Sequence, residues 1–369
     1  MRILAVIGTR PEAIKMLPLV KELKKHSEFE TLVCFSGQHE TLADNVFDLF
    51  NVTPEYRFHG LNSKRTLTQM TIELLNYFDS LLKDVLPDIV LVHGDTTTAL
   101  CAAISAFYLG IRVAHVEAGL RTFNHLSPFP EEFNRVAIDC ISSLHFAPTN
   151  AAAQNLLKEG KSSVFITGNT GIDALNYTLS ESYSHPLLNE SHGKKLIILT
   201  THRKENSGNK MRDALLGIRD ALHNSKNVRV IFPAHPNPQI SSIAEEVFTS
   251  TPNVTVTPPL PLYDFHNILA RSHLIISDSG GIQEEAAYLG IPLLLLRDTT
   301  ERGECVINGN VKIIGTNRPK VAFEISKALT NPNILRDMRK KSLVFGNGGA
   351  SEKIVKKLLP LLKKDDIIK

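Results

Sequence analysis

Short apolar runs of four or five residues, each closed by a polar cluster, recur along the chain. Between them lie longer stretches in which apolar residues return every three or four positions. Runs of the first kind predict strands buried on both faces of a parallel sheet, and the second kind predicts helices. A first series has strands at Ile3–Ile7, Thr31–Phe35, Asp88–Val92, Val113–Val116 and Val164–Thr167. Within it, Thr66–Leu82 reads as an amphipathic helix whose Leu67, Met70, Leu74, Leu75 and Phe78 face a core. A polar, proline-broken stretch from about Leu179 to Lys195 reads as a linker. A second series follows at Leu196–Thr200, Val228–Phe232, Val254–Thr257, the run opening at Leu274, the run after Pro292, and Val311–Ile314. The expectation is an α/β chain of two Rossmann-like domains, 1–170 and 171–354, with the C-terminal helical segment 355–369 packing back on the first.

The polar clusters at strand ends carry the candidate chemistry, because ligands of open α/β sheets lie at the carboxyl ends of strands. The densest stretch is Leu274–Arg302. Its strand runs into Asp278-Ser279-Gly280-Gly281 and at once into a helix. Two glycines there let a ligand approach the backbone, and a helix N-terminus suits a phosphate. Glu284 and Glu285, one turn on, suit ribose hydroxyls, and the next strand ends in the charged loop Arg297–Arg302. Ordinary tight packing explains most Gly-Gly turns; the charged loop favours a ligand site here. In the first series, Gly8-Thr9-Arg10-Pro11-Glu12 follows the first strand. It is not the G-x-G-x-x-G of a dinucleotide site. Arg10 suits an anion or base contact, whereas Lys15 also reads as a solvated helix residue. Asp95 and Glu117 close successive strands, although Asp95 also reads as a helix cap. Glu131 and Glu132 open a helix, which its dipole favours in any case. Glu131 and Arg135 lie one turn apart on that helix. Carboxylates and cations converging on one cleft form an acid–base constellation. In the second series His202 and His235 each follow a strand within a polar cluster. One suits acid–base work near neutral pH, the other a phosphate or uracil.

Composition narrows the classes. At 369 residues, 43% hydrophobic and 21% charged, the chain has material for two cores. A net charge of +3 offers no broad field for nucleic acid. Met1–Ile7 is too short for a signal peptide, and no apolar run reaches the roughly 20 residues of a membrane span. The four cysteines, Cys34, Cys101, Cys140 and Cys305, form no C-x-x-C pair and read as reduced thiols of a cytoplasmic protein.

The motifs Gly8-Thr-Arg-Pro-Glu-Ala-Ile-Lys15, His93-Gly-Asp-Thr-Thr-Thr98, His115-Val-Glu-Ala-Gly-Leu-Arg-Thr122, Ser127-Pro-Phe-Pro-Glu-Glu-Phe-Asn-Arg135, Thr167-Gly-Asn-Thr170 and Asp278-Ser-Gly-Gly-Ile-Gln-Glu-Glu285 occur in that order. Over essentially its whole length the chain resembles the non-hydrolysing UDP-N-acetylglucosamine 2-epimerases. That resemblance implies the GT-B architecture, two Rossmann-like domains facing a central cleft. It implies reversible conversion of UDP-GlcNAc to UDP-ManNAc, by elimination of UDP to 2-acetamidoglucal and re-addition, for surface-polysaccharide precursors. By motif it implies Asp95, Glu117, Glu131 and His202 as catalytic residues, with base and acid not ranked. Arg10, Lys15, Arg135, His235 and Arg302 would contact the substrate. Phe265 would flank the uracil, Ser279, Gly280 and Gly281 would hold phosphates, and Glu285 the ribose. No cofactor and no metal is implied, and the usual assembly is a homodimer.

Gly303 and Cys305 depart from the family's Thr-Glu-Arg-Pro-Glu-Ala-Val. Residues 40–42 and 63–66 depart from its UDP-GlcNAc-regulated bacterial members, which bears on allosteric activation and not on catalysis. The rival readings are the same chemistry on a modified UDP-HexNAc such as a UDP-diacetamido-uronic acid, a hydrolysing relative, a GT-B glycosyltransferase, and a non-catalytic sensor. The Arg10–Lys15 turn argues against the hydrolysing type. A glycosyltransferase has no need of carboxylates at three first-domain positions.

Overall fold

The computed structural model describes residues 1–37, 40–59, 65–201, 208–223, 225, 227–234 and 237–363. The chain divides into two compact units, Met1–Tyr177 with Phe345–Lys369, and Thr178–Val344.

The first unit is built on a parallel sheet of seven strands among the described residues: β1 Arg2–Ile7, β2 Glu30–Phe35, β3 Tyr56–Arg57, β4 Ile89–His93, β5 Arg112–Val116, β6 Leu144–Ala147 and β7 Val164–Ile166. Their order is β3-β2-β1-β4-β5-β6-β7. The chain therefore leaves β1 toward one edge, returns, and continues from β4 toward the other. β1 and β4 are in register through Leu4–Val90 and Ala5–Leu91, and the crevice outside their carboxyl ends is the switch point where ligands bind in such sheets. Ile3 through Ile7 are fully buried, as helices on both faces require. The helix Arg10–Leu23 starts at the end of β1, with Thr9 as N-cap and Pro11 in its first turn.

The unit's boundaries lie beyond the expected ones for a visible reason. Residues 170–178 form a helix that buries Ile172, Ala174 and Leu175. From it the Asp173 carboxylate accepts the backbone N–H groups of Ala350 (3.0 Å) and Ser351 (2.6 Å), the first residues of the helix Ala350–Leu358. The returning chain crosses at Gly168, whose φ is +90° and on which a Cβ would lie only 3.0 Å from the Phe345 carbonyl oxygen and 3.1 Å from the Gly346 Cα. The Asn169 N–H then donates to that same carbonyl.

The second unit repeats the topology. Among the described residues its strands are β8 Lys195–Thr200, β9 Val228–Pro233, β10 Val254–Thr257, β11 Leu274–Ser277, β12 Leu293–Leu295 and β13 Val311–Ile313. All pair in parallel in the order β10-β9-β8-β11-β12-β13, so its switch point lies between β8 and β11. Ile197, Leu199, Val230, Phe232, Leu274 and Ile276 are buried in one apolar core with Leu215 and Ile218 of the helix Asn209–Leu222.

Candidate active site

In the first unit the polar turns after β1, β4, β5 and β7 converge through side-chain contacts. Glu117, the first residue after β5, has φ +67°, a left-handed conformation that a non-glycine residue holds only when its surroundings impose it. Its Oε2 accepts hydrogen bonds from Lys15 Nζ and, at 2.5 Å, from Asn169 Nδ2. His93 Nε2 stands 3.7 Å from the same oxygen. Asn169 is fixed in that orientation because its Oδ1 accepts the Gly171 N–H at 2.8 Å. Lys15 is buried against Glu117, so the solvated-lysine reading does not hold.

Asp95 keeps a partly open carboxylate, 29% exposed, which accepts from Arg135 Nη2 at 2.7 Å. Arg135 is buried; its Nη1 stands 3.5 Å from Glu132 Oε2, and its Nε has no hydrogen-bond acceptor among the described residues. Buried donors of a cation left without acceptors are costly unless a ligand supplies them. Glu131 and Arg135 both belong to the helix Glu131–Ile141. The adjacent Glu132 is buried instead, and accepts the N–H groups of Thr122 (2.8 Å) and Phe123 (2.9 Å). It pins the loop, while Glu131 opens the helix. Arg10 is the first residue of its helix, at the turn after β1.

Two further devices hold these turns. Glu12 Oε2 accepts from the Gly8 N–H (3.2 Å) and the Thr9 hydroxyl (2.8 Å), and its Oε1 accepts from the Thr96 hydroxyl (2.9 Å). This one carboxylate therefore ties the β1 turn to the β4 turn. Burial pushes it up to about 7; hydrogen bonds from Thr9 and Thr96 oppose the rise and the Asp95 charge adds to it. Below the site, His115 places Nδ1 2.6 Å from Asp139 Oδ1 and Nε2 2.7 Å from the Gly94 carbonyl. Both ring nitrogens thus face oxygen atoms. Arg121 Nη2 donates to Asp139 Oδ2 at 2.7 Å. Burial of Asp139 works against its charge, but His115 and Arg121 outweigh it and hold the carboxyl below its ordinary range.

In the second unit the candidate site is the turn after β11. Ser279 is the N-cap of the helix Gly280–Leu289, yet its side chain makes no capping bond, and a helix N-terminus of this kind suits an anion. The two glycines differ. A Cβ on Gly280 would meet Arg302 Nη1 at 2.6 Å, whereas a Cβ on Gly281 would meet nothing within 4 Å. Gly280 makes room for the arginine; Gly281 keeps the surface open. Arg302 donates from Nε to Glu284 Oε1 (2.5 Å) and pairs with Glu301. Gln283 braces the turn, donating to the Ser279 carbonyl (3.2 Å) and accepting from the Thr300 hydroxyl (2.8 Å). Glu285 lies one turn along that helix, its Oε2 buried without a partner among the described residues. Phe265, half-buried, belongs to the helix Leu262–Ala270. Both predicted histidines, His202 and His235, lie outside the described residues.

A family model described as UDP-N-acetylglucosamine 2-epimerase matches residues 21–359. The chain belongs to the UDP-N-acetylglucosamine 2-epimerase family. It is 46% identical over 361 residues to the UDP-N-acetylglucosamine 2-epimerase of Bacillus subtilis (strain 168), covering 97% of this chain and 95% of that one. It is similar in structure to the UDP-GlcNAc 2-epimerase of Neisseria meningitidis bound to UDP-GlcNAc, with TM-score 0.93, 38% identity, and 98% and 100% of the two chains covered. It is also similar to the Methanocaldococcus jannaschii enzyme in complex with UDP-GlcNAc and UDP, with TM-score 0.85, 33% identity, and 97% and 99% covered. The fold is accordingly of the GT-B class.

For a member of this epimerase family, the first unit joins Lys15 to Glu117 and Arg135 to Asp95 by direct contact. The second gathers Ser279, Gly280, Gly281 and Arg302 at one turn. Sequence reasoning missed Glu12, Asn169 and the His115–Asp139–Arg121 cluster. Asn169 had a usable signal: it directly follows a strand-end glycine. Among the described residues no group of three or more His, Cys, Asp or Glu is placed to hold a metal ion.

Proposed function

We propose that this chain interconverts UDP-GlcNAc and UDP-ManNAc by epimerisation at C2. The observation that carries this reading is Glu117, held in left-handed backbone with its carboxylate against Lys15 and Asn169, in a chain of this family. A carboxylate removes the C2 proton; the C1–O bond breaks, its electron pair leaves with UDP, and a C1=C2 double bond forms. UDP then re-adds at C1 as a proton is delivered to the opposite face of C2. Asp95, Glu117 and Glu131 supply the proton-transfer groups, with His202 as a further candidate. Arg10, Lys15 and Arg135 offset the negative charge of the departing diphosphate. The second unit takes the nucleotide: phosphates at Ser279, Gly280 and Gly281 with Arg302 alongside, ribose at Glu285, and uracil at Phe265 and His235.

We further propose a cytoplasmic homodimer. The buried, unpaired thiols of Cys34, Cys101 and Cys305 fit a reducing compartment, and among the described residues no helix is long and apolar enough to cross a membrane. Phe107 and Tyr108, 53% and 79% exposed at one helix end, suit burial against a second copy.

Proton NMR of the purified protein with UDP-GlcNAc in heavy water tests the activity. The expected result is UDP-ManNAc with deuterium at C2. Free ManNAc in quantity would indicate the hydrolysing chemistry. No exchange would remove the UDP-GlcNAc assignment and direct the search to modified UDP-sugars.

A further inference from the structure

His266 is buried on the same helix as Phe265, and neither the motifs nor the reaction assign it a role. Its Nδ1 lies 2.7 Å from the Thr178 hydroxyl, and its Nε2 lies 3.5 Å from Glu285 Oε1. The other oxygen of that carboxylate, Oε2, is buried and has no partner among the described residues. The next residue, Asn267, donates from Nδ2 to the Thr178 carbonyl (2.6 Å) and accepts the Ser180 N–H (2.9 Å). The Thr178 side is therefore fixed from two directions, and the imidazole stands between a fixed hydroxyl and a carboxylate with one oxygen to spare. A hydroxyl that donates to Nδ1 sets the tautomer with its proton on Nε2, facing Glu285.

We propose that His266 is a positioning residue: it holds Glu285 through Oε1 so that Oε2 is presented to the vicinal diol of a bound nucleoside diphosphate. This deepens the reading of Glu285 as the ribose contact and rests on it. The physical demand is general. An acceptor read by two hydroxyls discriminates only if its rotamer is set before binding, because otherwise ordering it consumes the gain.

The test is calorimetric titration of the full chain with UDP and with 2′,3′-dideoxy-UDP. The ratio of their affinities reads the diol contact alone. Wild type is expected to prefer UDP by about tenfold or more. His266→Gln keeps a donor at the Nε2 position and retains that ratio within about twofold; His266→Asn keeps only the Nδ1 side and lowers it to about threefold or less. A merely structural role would weaken both nucleotides equally and leave the ratio intact, which would overturn the proposal. Thr178→Val removes the other end of the relay, and is expected to lower the ratio without emptying the core. If His266→Asn does not fold, an unchanged ratio in Thr178→Val overturns the proposal and a lowered one supports it. Glu285→Gln separates the two levels. An undiminished ratio there refutes the ribose reading, and His266 falls with it. A lost ratio there, with His266→Asn unchanged, refutes only the role of His266.

Discussion

Replacing Glu12 by glutamine should make the protein's stability less sensitive to pH, in a direction fixed by the structure. The carboxylate is buried where the turns after β1 and β4 meet, and burial pushes it up to about 7 from its ordinary 4.5. The folded chain therefore holds this proton more tightly than the unfolded chain does. Between about pH 4.5 and 7 the folded state carries a proton that the unfolded state has released, so stability falls as pH rises through that window. Above it both states are ionised and the loss is complete. The shift of about 2.5 units, at 1.36 kcal/mol each, makes that loss on the order of 3 kcal/mol. Glutamine is isosteric with the protonated acid. Its carbonyl can accept from Gly8 and Thr9, and its amide can donate to Thr96 Oγ1, which already accepts from the Ala99 N–H at 3.1 Å and retains a second lone pair. The variant should match wild type near pH 5 and exceed it by about 3 kcal/mol near pH 8. Urea unfolding at a series of pH values, followed by circular dichroism, measures the difference. Subtracting one protein from the other removes the shared contributions of Asp139 and Asp173. Parallel stability curves across the window would refute the argument. So would a variant weaker at every pH, which would mean that the three donors require the charged carboxylate.

Glu117→Gln keeps the shape of its site but removes the proton acceptor, so turnover should drop by roughly a hundredfold or more in the NMR assay, and because it also neutralises one half of the buried pair with Lys15 the melting temperature should fall as well. The two glycines of the nucleotide turn should separate in the laboratory. Gly280→Ala presses a methyl group into the paired guanidinium of Arg302 and should destabilise by about 1–3 kcal/mol in urea melts. Gly281→Ala meets open space, so it should leave stability nearly intact while weakening UDP about tenfold by calorimetry; equal affinity would mean that no ligand approaches that backbone. Tyr108→Glu should break the proposed homodimer and lower the sedimentation coefficient in sedimentation velocity; a coefficient equal to that of wild type would refute this contact.

Most of the sheet was legible because strands buried on both faces must be apolar throughout, and a run such as Ile3–Ile7 admits few other readings. The exceptions have causes. β6 escaped because its His145 breaks the apolar run; in the fold its ring nitrogens lie 3.1 Å from the Ser162 carbonyl and 3.0 Å from the Asp139 carbonyl. β3 is only the pair Tyr56–Arg57, too short to leave a pattern. Strand ends pointed to Asp95 and Glu117, since a polar residue after a buried strand has few places to go. The pattern could not separate Glu131 from Glu132, because the helix dipole favours both. Their difference lies in a contact across ten residues of loop, from Glu132 to the Thr122 N–H. Glu12 was hidden for the same reason doubled: it reads as an ordinary first-turn acid, and its decisive partner Thr96 stands 84 positions away.

The two units share one topology and furnish its switch point in opposite ways. In the first, the turns carry the carboxylates proposed to transfer protons, and such groups need stiff surroundings, since a carboxylate that wanders by an ångström loses its geometry. Accordingly Glu117 sits on strained backbone between Lys15 and Asn169, Glu12 bridges two turns, and the buried His115–Asp139–Arg121 cluster grips the Gly94 carbonyl beneath Asp95. In the second, the turn after β11 offers backbone N–H groups to an anion, and what it needs is space. Gly281 supplies it, while the one side chain brought close, Arg302, is admitted by the missing Cβ of Gly280 and held by Glu284 and Glu301. A carboxylate at the Gly281 position would repel the phosphate proposed to bind there, and a glycine at Glu117 would fit the left-handed backbone better yet could not serve as the proposed proton-transfer group. The residue at each turn therefore follows from what the turn must do to its ligand, even where, as at Glu117, the backbone alone would prefer another choice.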